Sequence, residues 1–277
     1  MEHSLRPGLY IVATPIGNLG DMTSRAADTL CSVDYILAED KRVTAKLLAH
    51  LGAKAPMMTY HDHSDERLRE RILADLSSKA VALVSDAGTP LISDPGYKLV
   101  RAARQAGLAI HTLPGPSAVI AALTLAGLPT DRFLFLGFLP AKAKARADAI
   151  AEIASVRASL VLYESGPRIG ESLAALATGL GDRDAAVIRE ITKLHEECRS
   201  GTLGELASSY SDAAPKGEIV IVVAPPPKPA AATSDDLDAA LDEALKELSP
   251  SRAAAEVAER LGLPRKQVYA RAMEKTR

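Results

Sequence analysis

The sequence predicts an α/β protein made of two α/β domains and a small helical tail, and three observations carry that reading. Apolar runs of strand length alternate with segments of helical period, the alternation breaks near Gly127 to Thr130 and then resumes, and a proline-rich stretch separates off the last part of the chain. A length of 277 residues suits about two domains, and 47% hydrophobic with 25% charged residues describes a globular chain. The expected organisation is an N-terminal α/β domain over 1–128, a second α/β domain over 129–224, a linker over 225–234 and a helix-turn-helix-like tail over 235–277.

In the first domain, strands are expected at Leu9–Ala13, Tyr35–Ala38, Ala80–Val84 and Leu108–Leu113. Helices are expected at Thr23–Ser32, Asp65–Leu76, Tyr97–Gln105 and Ser117–Leu125, so the sheet should be largely parallel. The second domain opens with the apolar run Phe133–Leu139 and continues with a helix at Ala143–Ala154, a strand at Ser159–Tyr163 and a helix near Gly170–Ala177. Strands at Ala185–Arg189 and Glu218–Ala224 bracket Leu194–Leu206, which reads as a strand and turn followed by a short helix, giving a mixed sheet. Pro225–Ser234 has four prolines in its first five residues and reads as a stiff linker. Beyond it, Arg252–Lys275 places a turn at Gly262 between two helical patterns, a shape used in nucleic-acid binding and in packing alike.

A formal net charge of −2 argues against uniform coating of nucleic acid, so a polyanion must meet a local patch. Three clusters qualify: Lys41, Arg42 and Lys46; Lys142, Lys144 and Arg146; and Arg252, Arg265, Lys266 and Arg271 in the tail. Cys31 and Cys198 have no zinc or redox spacing, which fits a reducing cytoplasm. The segment MEHSLRPG lacks a signal core, and no run approaches about 18 apolar residues, so neither secretion nor membrane spanning is expected. His61 and His63 stand at strand spacing on one face, but no third ligand is evident. No metal is therefore expected, and a polar loop capping the helix from Asp65, or an RNA contact, is the reading kept.

Three loops invite a ligand. Val84–Gly96, VSDAGTPLISDPG, leaves a buried strand with two acids, two glycines and two prolines. Ala13–Arg25 carries Gly17 and Gly20 before a helix that Asp21 or Thr23 can cap, and lacks both the P-loop ending and the dinucleotide fingerprint. Pro114–Leu123 puts Ser117 and Ala118 at the start of an apolar helix, whose free amides can hold a carboxylate or hydroxyl. Following parallel strands, the three should gather along one sheet edge.

VATPIGNLGD at Val12–Asp21, EDKR at Glu39–Arg42, VSDAGTPLISDPG, PGPSA and YESGPR at Tyr163–Arg168 together resemble the ribosomal RNA small subunit methyltransferase I family, within the tetrapyrrole methylase-like superfamily. The resemblance runs from about Leu9 to Ala224, and the tail is similar to the family's C-terminal extension. It implies a two-domain class III methyltransferase fold, S-adenosylmethionine in the cleft between the domains, a homodimer, and methylation of a cytidine ribose 2′-hydroxyl in the decoding region of 16S ribosomal RNA. The cofactor residues it implies are Asp86, Gly88, Ile92, Ser117, Ala118, Glu164, Lys216 and Gly217. Many tetrapyrrole methylases read Gly-Asp-Pro where this chain reads Gly88, Thr89, Pro90, so only a backbone role carries over there.

Methyl transfer from a sulfonium is an in-line displacement for which orientation supplies much of the acceleration. A ribose hydroxyl is a weak acid and is helped by a base or by donors to the developing charge. Candidate bases are Asp21, Asp94 and Glu164; Arg189 and Lys193 are stabilisers, phosphate contacts or members of surface pairs. The competing functions are a tetrapyrrole methylase and a noncatalytic RNA-binding ribosome-assembly factor.

Overall fold

The computed structural model describes residues 5–211, 214–227 and 234–276. They form two compact units, one up to Pro226 and one from Pro227 onward. The larger unit holds two five-stranded sheets.

In the first sheet, β1 (Gly8–Val12), β2 (Tyr35–Ala38), β3 (Met57–Thr59), β4 (Ala80–Val84) and β5 (Ile110–Leu113) take the order β3-β2-β4-β1-β5, with every pairing parallel. Parallel neighbours need crossovers, and α1 (Ser24–Ser32), α2 (Lys41–Leu51), α3 (Glu66–Asp75) and α4 (Tyr97–Gln105) supply them. Strand alternation divides the core between the two faces. Tyr10, Ile36 and Ala82 pack with Leu30 of α1 and Leu48 of α2, whereas Leu9, Leu37 and Leu83 pack with Ile72 of α3 and Leu99 of α4. Neither α2 nor β3 was expected from the sequence. The segment Lys41–Leu51 buries only Thr44, Leu47 and Leu48, and its cations mask the helical stripe that Asp40 caps and Gly52, at φ +68°, closes.

The second sheet is preceded by α5 (Ala118–Ala126), which ends at Gly127 in the left-handed region. It comprises β6 (Phe133–Phe138), β7 (Ser159–Ser165), β8 (Asp184–Arg189), β9 (Glu197–Thr202) and β10 (Glu218–Val223), with α6 (Ala143–Ile153), α7 (Ile169–Leu180) and α8 (Leu203–Ser209) in the connections. The order is β6-β7-β10-β8-β9; only β6 and β7 run parallel, so the sheet is mixed as expected. One face packs Leu160, Leu162 and Ile221 against Ile150, Leu173 and Leu206 of α6, α7 and α8. The other face is covered by α5, whose Val119, Ala122, Leu123 and Ala126 meet Val161, Ile188, Val220 and Val222. Thus α5, which precedes the domain boundary expected near Gly127 to Thr130, belongs by packing to the second sheet.

The smaller unit consists of α9 (Ser234–Ala244), α10 (Pro250–Leu261) and α11 (Arg265–Lys275) around Leu237, Leu241, Val257 and Val268. Gly262, at φ +64°, makes the turn between the last two helices. Arg271 is held by Asp238 and Glu274, while Arg252, Arg265 and Lys266 are exposed. Residues 228–233 of the expected linker lie outside the described residues. No helix among the described residues is long and apolar enough to cross a membrane.

Candidate active site

Strands β4, β1 and β5 are neighbours in the sheet, so the loops leaving their carboxyl ends emerge side by side. Two backbone hydrogen bonds tie the first pair: Thr14 N–H donates to Gly88 O at 2.8 Å and Gly88 N–H to Thr14 O at 3.0 Å. Both polar groups of Gly88 are therefore committed within the protein, and its left-handed φ of +77° is what the turn requires. The Thr89 hydroxyl donates to Pro116 O at 3.2 Å, tying this loop to the one after β5 and giving the side chain at that position a role. The far end of the loop is held by Asp62, which accepts from Gly96 N–H at 3.0 Å.

These loops, with β7, β10 and the segment after β8, enclose a cavity of about 330 Å³. Among the expected residues, Gly88, Ile92, Asp94, Ser117, Ala118, Glu164 and Gly217 line it; Asp21, Asp86 and Lys216 do not. The walls also include Ile16, Phe138, Tyr163, Ile191 and Ile219, none of them singled out from sequence. Two isoleucines face the cavity from strained loops. Ile92 sits between Leu91 (φ +75°) and Ser93 (φ +65°), and Ile191 between Glu190 (φ +53°) and Thr192 (φ +63°). Left-handed backbone costs a non-glycine residue about 1–2 kcal/mol, and such strain concentrates at functional sites.

The three candidate bases have different surroundings. Burial pushes the Asp94 carboxyl up to about 6; a hydrogen bond with Ser85 opposes this, and the nearby charges of Glu39 and Asp86 reinforce it. Burial also pushes the Tyr163 hydroxyl up to about 12, aided by the negative charges of Asp94 and Glu218. Asp94 does not begin the following helix through its side chain, since α4 starts after Gly96 with no side-chain cap. Asp21 is not the cap of α1 either: Thr23 accepts from Ala26 N–H at 3.3 Å. Instead, Asp21 accepts from the Thr192 hydroxyl at 2.6 Å, in a neighbouring groove that shares Ile16, Ser117 and Ile191 with the cavity.

Glu164 is 3% exposed, and its carboxylate accepts from Ser165 N–H at 2.8 Å and from the Ser172 hydroxyl, with Arg168 at 3.5 Å. It locks the end of β7 to α7. Glu164→Ala is expected to lower folding stability by about 2–3 kcal/mol through these lost charged hydrogen bonds, read as a drop in the urea midpoint with the slope unchanged.

Asp86 braces the loop, accepting from Asp40 N–H at 3.0 Å and donating its own amide to the Glu39 carboxylate. At the opposite wall, Lys193 pairs with Glu190 and Glu218 at 2.9 and 2.8 Å. Arg189 pairs with Glu197 and donates to Lys216 O at 3.2 Å, so both cations are held in pairs. Gly217, at φ +103°, lets the backbone pass the Glu190 carboxylate, which a Cβ would strike. At the start of α5 the Ser117 side chain makes no capping bond to the first-turn amides.

One reading is borne out and one is corrected. His61 and His63 lie in a polar loop rather than on one strand face: Ser64 N–H donates to His61 O at 2.8 Å and His61 N–H to Ser64 Oγ at 2.9 Å, which makes a turn before the helix that Asp65 caps. Arg146 is no surface contact for RNA. It is 3% exposed, pairs with Glu171 and donates to Ala141 O, because α6 turns that side onto the second core.

A parallel sheet coupled to a mixed one, with the cavity at the carboxyl ends of the parallel strands, defines a two-sheet α/β protein with a ligand-sized site. The family model for Tetrapyrrole (Corrin/Porphyrin) Methylases matches residues 8–207, and one described as the RsmI C-terminal HTH domain matches 231–276. Two solved structures share the larger fold: a uroporphyrin-III-C-methyltransferase from Thermus thermophilus (TM-score 0.56, 21% identity, 78% of this chain and 94% of that one) and a diphthine synthase (TM-score 0.60, 18% identity, 78% and 89%). Much nearer in sequence is the ribosomal RNA small subunit methyltransferase I of Erythrobacter litoralis, 57% identical over 99% of this chain and 98% of that protein. The protein of the same name from Mesorhizobium japonicum is 45% identical over 98% and 92%. The chain belongs to the ribosomal RNA small subunit methyltransferase I family of methyltransferases.

Proposed function

We propose that this protein transfers the methyl group of S-adenosylmethionine to the ribose 2′-hydroxyl of a decoding-region cytidine in 16S ribosomal RNA, working in the cytoplasm as a homodimer. The observation that carries the reading is Asp94, a desolvated carboxylate raised to about 6 in the wall of a largely apolar cavity. A base of that strength is ionised at neutral pH and still basic enough to accept a hydroxyl proton as charge develops. The methylation substrate and the dimer rest on the family resemblance.

The residues present fit the cofactor. A cavity of about 330 Å³ is of small-ligand size. The uncapped amides at Ser117 and Ala118 suit its carboxylate, and Ile92 and Ile191 offer apolar surface. When bound, the sulfonium supplies an electrophilic methyl carbon and a good leaving group. Gly88, Ile92, Ser117, Ala118 and Gly217 would touch it, whereas Asp86, Glu164 and Lys216 hold the elements that carry those contacts. Asp94 takes the proton from the acceptor hydroxyl, and the apolar walls exclude water from the reacting atoms.

The test incubates the protein and labelled S-adenosylmethionine with small ribosomal subunits from a strain lacking the enzyme and maps ribose methylation. Label at a decoding-region cytidine is expected. Cofactor binding without transfer to subunits or free 16S RNA would overturn the reading and favour an assembly factor. Removing the three-helix unit after Ala224 is expected to weaken subunit binding more than cofactor binding, because exposed Arg252, Arg265 and Lys266 offer phosphate contacts.

A further inference from the structure

The strand β6 is irregular in a way that has a chemical consequence. Its register against β7 pairs Phe135 with Val161 but Gly137 with Leu162, so Leu136 is an extra residue, a β-bulge. Gly137 adopts φ +64°, the left-handed conformation that such bulges favour. The inserted residue changes which face Phe138 occupies. Under strict alternation Phe138 would share the face of Leu134 and Leu136, which pack into the core beneath α6 and α7. With the bulge it stands opposite Tyr163, on the face of Phe135 and the cavity.

The outcome is an aromatic ring in the cavity wall that is nevertheless 58% exposed. Tyr163 supports it edge-on, with ring centroids 5.6 Å apart, and Phe135 braces Tyr163 in turn at 4.9 Å. Arg168 donates to Leu139 O at 2.7 Å, which fixes the chain immediately after the ring. Lys142 and Lys144 follow in exposed positions at the start of α6. A rigid, exposed aromatic followed by solvent-facing cations is the combination with which proteins hold an unstacked nucleotide, the ring taking the base and the cations the phosphates.

We propose that Phe138 is the stacking platform for the base of the nucleotide to be methylated. The inference rests on the RNA methylation proposed above and adds the group that holds the acceptor. Stacking on Phe138 places the base at the cavity mouth and its ribose towards the interior, where Asp94 lies. The bulge is what makes the arrangement possible.

The test compares wild type with Phe138→Leu and Phe138→Trp, using small subunits from the enzyme-deficient strain and labelled S-adenosylmethionine. Leucine keeps the apolar bulk and removes the π face. KM for subunits is expected to rise about tenfold or more in F138L, the fold-change that loss of one base stack implies. In F138W it should return to within a few-fold of wild type, while the dissociation constant for S-adenosylmethionine, measured by calorimetry, changes less than twofold in both. An F138L enzyme with wild-type KM overturns the proposal. So does a loss of cofactor affinity that matches the loss of activity, which would assign the ring to the cofactor. Failure of the wild-type enzyme to methylate subunits at all would instead count against the proposed function itself.

Discussion

Asp94→Asn is expected to lower the rate of methyl transfer about 10²- to 10⁴-fold, the usual contribution of a positioned general base, while cofactor affinity stays within a few-fold. The pH dependence gives the sharper reading. Asp94 must be ionised to accept the proton, so kcat/KM should fall as pH drops through about 6. Two neighbours move that limb in opposite directions. The Ser85 hydrogen bond favours the ionised form, so Ser85→Ala should shift the limb to higher pH; the Glu39 charge opposes ionisation, so Glu39→Gln should shift it lower. Stability carries the opposite sign from activity. The folded pKa lies above the ordinary 3.8, so the folded state binds the proton more tightly than the unfolded chain and loses stability as pH rises from about 4 to 6. Asparagine cannot ionise, so D94N should melt at a higher temperature than wild type above pH 6, and the gain should vanish below about pH 4. A wild-type turnover number in D94N, or an acid limb unmoved by S85A and E39Q, would remove Asp94 as the base.

Gly166→Ala is expected to damage fold and site together. A Cβ on Gly166 would clash with the Pro215 carbonyl oxygen, a backbone atom that no rotamer change moves aside. The segment it strikes leads through Lys216 and Gly217 into β10, and Gly217 is part of the cavity wall. Overpacking of this kind costs about 1–3 kcal/mol, which a urea titration reads directly. The protein that does fold should bind S-adenosylmethionine more weakly, because the displaced segment no longer closes the cavity. An unchanged urea midpoint would show that this close approach does not exist.

How far the architecture could be read in advance depended on whether the signal was local. Tyr35–Ala38, Ala80–Val84 and Tyr97–Gln105 were legible to the residue because a short apolar run or a regular stripe ends at a recognisable turn. The second helix and third strand escaped, one hidden by its cations and the other only three residues long. The glycine- and proline-rich loops of the first sheet were equally plain, since their composition announces a turn beside a strand. The opposite wall was not. Tyr163 and Ile191 look like ordinary apolar positions, and only the packing of α5 on the second sheet brings them to the loops. Asp21 shows the same limit, for its partner Thr192 lies 171 residues away. Gly137 inside an apolar strand is the sole local trace of the bulge that turns Phe138.

The placement of α5 determines where the protein can be cut. A fragment ending at Gly127 would contain the whole parallel sheet, yet it would carry Val119, Ala122, Leu123 and Ala126 with no surface to receive them. The complementary fragment would leave Val161, Ile188, Val220 and Val222 bare to water. Separately expressed halves should therefore aggregate or seek each other out, and mixing them should restore one cooperative melting transition. The same helix begins at Ser117 and Ala118 in the cavity wall, so anything that loosens its grip on the second sheet is felt at the ligand.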